Sequence, residues 1–145
     1  MTTLLDVNVL VALAWPNHVH HPLACSWFEE NHPDGWATCS TTQNAFVRIS
    51  SNPKVVDEAR TPAEAVLLLQ QLLKLDGHRF WPDDVSIAQS KSIDVERIRG
   101  YRQVMGAHLI ALARRHGGRL ATFDRKIATL VPREADAGRY LLVLS

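Results

Sequence analysis

Residues 104–124 read VMGAHLIALARRHGGRLATFD, and this stretch decides the fold. Apolar side chains recur at helical spacing over 106–116, Gly117-Gly118 supplies a stop, and the short run RLATF ends at Asp124. A helix feeding a buried strand that ends on an acid is the repeating half of an α/β domain. The start of that helix is bare. Helices usually open on Ser, Thr, Asp or Asn, whereas this one opens near Met105-Gly106.

The same alternation extends outward. TLLD at residues 3–6 reads as a short strand ending on Asp6, followed by a helix that Asn8 can cap and Pro16 stops. HPLACSWFEENHP is a second helix closed by Pro33, GWATC a strand, and STTQNAFVRISSNP a helix opened by hydroxyls. TPAEAVLLLQQLLKLDG carries a full set of helix signals, with Thr61 as cap, Pro62 in the first turn, Glu64 at the third position and Gly77 past the end. HRFWPDD turns out of a strand at Pro82, residues 86–101 hold one or two short helices, and RYLLVL is a final strand. The expected architecture is α/β, a three-layer α/β/α sandwich on a mainly parallel sheet, formed by a single domain over 1–145. In such sheets ligands sit beyond the carboxyl ends of strands. Asp6 and Asp124 both occupy such places.

Composition narrows the class. The chain has 145 residues, 46% of them hydrophobic, and a net charge of +1, which suits one folded domain rather than a disordered chain. Charge is unevenly placed. Arg97–Lys126 holds eight Arg or Lys and one acid, whereas the first fifty residues hold four acids and one arginine. That asymmetry sets an acidic, metal-binding end beside a phosphate-binding surface, or simply solvates helix faces. Cys25 and Cys39 lack CxxC spacing and read as buried free thiols. The N-terminus has no basic leader, and its apolar run is cut by Asp6 and Asn8. A cytoplasmic protein with no membrane partner is expected.

Carboxylates at strand ends, without a nucleophile or a glycine-rich phosphate loop, suit Mg²⁺ or Mn²⁺, which take oxygen ligands and keep several waters. An Asp in such a place is equally often a turn or helix cap. A resemblance adds weight to the first reading. LLDVNVLVAL, STTQNAFVRI and HLIALARRHGGRLATFDRKIATL resemble, in order and across essentially the whole chain, the PIN-domain ribonucleases of VapC type, the toxins of type II toxin–antitoxin pairs. The resemblance implies an Mg²⁺-dependent endoribonuclease acting on cellular RNA, a homodimer, and a small cognate antitoxin as partner. It places Asp6 and Asp124 as metal ligands and Asn44, within one residue, where the family often has a glutamate. A further aspartate belongs at the start of the late helix, in the pattern Thr-Asp-Ala-His-Leu. Here the chain reads Met105-Gly106-Ala107-His108-Leu109, so Gly106 stands where a ligand is expected.

That departure leaves two functions open. One is a toxin nuclease with a weakened metal site; the other is a catalytically impaired PIN-domain protein that acts by binding antitoxin or RNA. A structure-specific DNA nuclease of the wider superfamily is a weaker third reading, because the chain lacks the insertions expected for threading DNA. Arg48, Arg114, Arg115 and Arg125 are candidate RNA contacts, or ordinary surface charges. His108 lies two residues from position 106, about 200° around the helix, and reads as a poor substitute ligand. Asp83 and Asp84 read as a solvated turn, with a contribution to the site as the alternative. His18, His20 and His21 in NHVHHP read as an ordinary loop. The surplus apolar face of AVLLLQQLL reads as core or as part of a dimer or antitoxin groove.

Overall fold

A computed structural model describes residues 1–131 and 138–145. The elements run β1 (Thr3–Leu5), α1 (Val7–Ala14), α2 (His21–Asn31), β2 (Trp36–Cys39), α3 (Ser40–Ser50), α4 (Pro62–Leu73), β3 (His78–Trp81), α5 (Val104–Arg115), β4 (Arg119–Thr122) and β5 (Leu141–Val143). The five strands lie in the order β3-β2-β1-β4-β5 and every pairing is parallel. Successive strand side chains point to opposite faces. Leu4, Ala37, Cys39, Leu120 and Leu141 pack on the α5 side, while Leu5, Trp36, Ala121 and Leu142 pack with α1–α4. Helices therefore cover both faces of the sheet, and the expected three-layer sandwich is the observed fold.

The strand order carries the functional consequence. From β1 the chain moves outward to β2 and β3, then returns to the other side of β1 to lay down β4 and β5. The direction of winding reverses between β1 and β4, which makes a crevice at their carboxyl ends. Asp6 follows β1 directly and Asp124 lies two residues past the end of β4, so the two acids flank the crevice.

Local departures have physical reasons. Asp6, rather than Asn8, caps α1, its Oδ1 accepting from the Val7 N–H at 2.7 Å. The α4 capping box forms as expected, Thr61 accepting from the Glu64 N–H. Helix α5 begins at Val104, two residues before the expected start, because a 3-10 turn over Tyr101–Gln103 runs straight into it. Gly106 is thus the third residue of the helix and buried, not its opening. Both cysteines are free, Cys39 buried and Cys25 half-buried. No helix among the described residues is long and apolar enough to cross a membrane.

Asp84 is exposed, as a solvated turn would have it, but Asp83 is largely buried. They clamp the segment after β3 onto α5. Asp83 Oδ1 lies 2.6 Å from His108 Nε2, with the side chains only 13% and 15% exposed, and the Thr41 hydroxyl donates to its other oxygen. Asp84 grips Arg115 through two N–H···O bonds of 2.8 Å. His108 and Arg115 are seven residues apart, so helical geometry puts them on one face. Burial pushes the Asp83 carboxyl up, but Thr41 and His108 outweigh it and hold the group below the ordinary carboxylate range. Asp83 therefore stabilises the fold fully above pH ~3.8, and that contribution is lost as pH falls through the lower folded-state value. His108→Ala leaves the carboxylate half-partnered, and urea unfolding at neutral pH is expected to show a loss of about 1–3 kcal/mol.

Candidate metal centre

The centre grows from three places in the chain. Asp6 leaves β1 with extended backbone, which lets its side chain fold back onto the first turn of α1. Its Oδ2 accepts a 2.7 Å hydrogen bond from the Thr122 hydroxyl at the end of β4. The same Thr122 oxygen accepts from the Asp124 N–H at 3.1 Å. Asp124 in turn caps the 3-10 turn Arg125–Leu130, its Oδ1 accepting from the Lys126 N–H at 2.9 Å. One fully buried hydroxyl thus ties the two acids together across the crevice.

Asp6 is 7% exposed, and burial pushes its carboxyl above the usual range. The hydrogen bonds from Thr122 and Val7 oppose that shift, and the nearby Asp124 charge adds to it. A carboxylate whose ionisation is made costlier by burial and by a neighbouring acid is what a bound cation would relieve. Each acid spends one bond per engaged oxygen and keeps lone pairs for a ligand. The donor set is all oxygen, which fits a hydrated Mg²⁺ or Mn²⁺ held by one or two carboxylates. Among the described residues no group of three His, Cys, Asp or Glu gathers to hold a metal. Asp83 is committed to His108 and Thr41 and does not fill the gap.

Position 106 faces the turn that Asp124 caps. A Cβ built on Gly106 meets Ile127 Cδ1 at 2.8 Å and Cγ1 at 3.0 Å, and Ile127 is buried in the turn that Asp124 caps. The glycine has ordinary helical backbone with no positive φ, so no turn geometry demands it. It costs the helix about 1 kcal/mol relative to alanine. The terminal methyl of Ile127 fills the room that a side chain at 106 would use.

The remaining sequence candidates separate. Asn44 and Arg48 are exposed one helical turn apart on α3, and Arg125 is exposed beside Asp124. Arg114 and Arg115 lie at the other end of α5, roughly 13 Å along the helix from Gly106 at 1.5 Å per residue. Arg115 is held by Asp84, and Arg114 sits 4.7 Å over the Tyr140 ring. Residue-type reasoning missed Thr122; the signal was a hydroxyl inside the otherwise apolar run LAT, at a position the strand buries.

A parallel α/β/α sandwich with two acids at its switch point is the class of fold that these observations define. The sequence comparisons narrow it. The PIN-domain model matches residues 3–131. Ribonuclease VapC39 of Mycobacterium tuberculosis is 51% identical over 128 residues, covering 88% of this chain and 92% of that protein. Ribonuclease VapC38 of the same organism is 53% identical over 127 residues, 88% of each chain. The chain belongs to the PIN-domain family, among the VapC-type ribonucleases. A crystal structure of VapBC2 from Rickettsia felis bound to a DNA fragment from their promoter superposes over the whole of both chains with a TM-score of 0.63 at 14% identity, a likeness of fold.

Proposed function

We propose that the chain is a Mg²⁺-dependent endoribonuclease toxin of a type II toxin–antitoxin pair, hydrolysing phosphodiester bonds in cellular RNA. The observation that carries this reading is the Asp6–Thr122–Asp124 linkage at the sheet's switch point. Asp6 and Asp124 would hold the ion, and Asn44 would add a neutral carbonyl oxygen from α3. A bound Mg²⁺ supplies charge stabilisation at the phosphodiester and acidification of water. Thr122 fixes the Asp6 carboxylate and leaves it free lone pairs, and the Lys126 N–H does the same for Asp124. Exposed Arg48 and Arg125 pair with backbone phosphates near the acids. Arg114 and Arg115 reach only an RNA that runs the length of α5.

The relatives' names and the R. felis complex support a small cognate antitoxin as partner. We extend the family's homodimer and cytoplasmic setting to this chain. Expression in a bacterial host is expected to slow growth, and co-expression of the cognate antitoxin to relieve it. Unimpaired growth, matched by an Asp124→Asn control, would count against a toxin.

One observation favours a second reading. With Gly106 in a ligand's place and Ile127 filling the space, the site has one carboxylate fewer to draw Mg²⁺ from water. In that reading turnover is lost and the chain acts through antitoxin or RNA binding.

A further inference from the structure

The loop NHVHHP does more than connect α1 to α2. The His20 ring stacks on Phe123 at a centroid distance of 4.5 Å and 24°, and His18 stacks on the same ring at 6.5 Å and 23°. Phe123 is the residue between Thr122 and Asp124, so these rings stand one residue from both groups that organise the acid pair. None of the three is buried: His20 is exposed, His18 and Phe123 half-buried.

The rings are organised beforehand. The His20 backbone N–H donates to His18 Nδ1 at 3.0 Å, which fixes the His18 ring and leaves its proton on Nε2 when neutral. His20 sits at the cap position of α2 yet makes no side-chain cap bond, so its ring is not spent on the helix. Burial, with His20 and His21 close by, holds His18 below its ordinary range and favours the neutral ring. His18 also lines a cleft of about 270 Å³ shared with Asn8, Val11, Trp15 and Ile49.

We infer that Phe123, His20 and His18 form a stacking platform for a nucleobase of single-stranded RNA, next to the phosphodiester held at Asp6 and Asp124. Unstacked RNA bases are bound on Phe, Tyr, Trp and His faces, with little demand on base identity. Arg48 on α3 and Arg125 bind the backbone, and the platform sets where along the strand the scissile bond lies. The inference rests on the nuclease reading.

The test is equilibrium binding of a short labelled single-stranded RNA to the full chain, with Ca²⁺ in place of Mg²⁺. His20→Ala is expected to weaken binding about 10-fold, and His20→Trp or His20→Phe to recover it, at unchanged melting temperature. Equal binding by His20→Ala would overturn the platform while leaving the nuclease reading intact. Weakened binding that neither aromatic variant recovers would overturn stacking as its basis. Absence of RNA binding by the unaltered chain would overturn the platform together with the reading beneath it.

Discussion

Replacing Gly106 by aspartate is expected to raise Mg²⁺-dependent RNA cleavage about 100-fold, the scale on which metal sites respond to lost support. The position is the third residue of α5, where the helix N-terminus favours an acid. It faces the turn that Asp124 caps, and only the flexible end of Ile127 must shift to admit a side chain. Gly106→Asn has the same shape without the charge and should bring little gain. Added charge should also lower stability when Mg²⁺ is chelated, since a third carboxylate then joins two that already repel. Initial rates of cleavage for the three forms, measured against Mg²⁺ concentration, check this. Equal rates for the unaltered chain and the Gly106→Asp variant would show that the position lies outside the ligand set.

Asp6→Asn should act in opposite directions on function and stability. Cleavage is expected to fall at least about 100-fold, because one of two matched carboxylates is gone. Yet the chelated protein should melt a few degrees higher at neutral pH. Asn is as good a helix cap as Asp, so the bond from Val7 survives. The raised folded-state value of Asp6 means that folding loses stability as pH rises from about 3.8 through that value. Above it the penalty of a buried carboxylate is present, and the amide removes it at the expense of the weaker bond that the Thr122 hydroxyl gives to Oδ2. The gain should vanish below pH ~3.8, where Asp6 is protonated folded and unfolded alike. Thermal melts of both proteins with EDTA across this range check the sign. A lower melting temperature for the variant at neutral pH would show that Asp6 serves the fold rather than the site.

Much of this was legible in the residues because it depends on local pattern. Strand runs ending at Asp6 and Asp124 follow from burial on a parallel sheet, and the α4 box follows from residues three apart. What was not legible depends on contacts between distant segments. Asp83 meets His108 across 25 residues and Thr41 across 42, so a pair of acids after Pro82 looked solvated. Thr122 meets Asp6 across 116 residues. The histidines looked like an ordinary loop because nothing near them in sequence shows that Phe123 lies under their rings. The bare start of α5 misled for another reason: a 3-10 turn replaces the capping residue, and no side-chain signal marks such a turn.

The most direct measurement is cleavage of single-stranded RNA by the unaltered chain at millimolar Mg²⁺, beside the same chain with EDTA and beside Asp124→Asn. Cleavage that appears with Mg²⁺, stops with EDTA and is absent from Asp124→Asn is the predicted result. Cleavage that persists with EDTA, or that Asp124→Asn performs at the unaltered rate, would contradict a metal centre at Asp6 and Asp124.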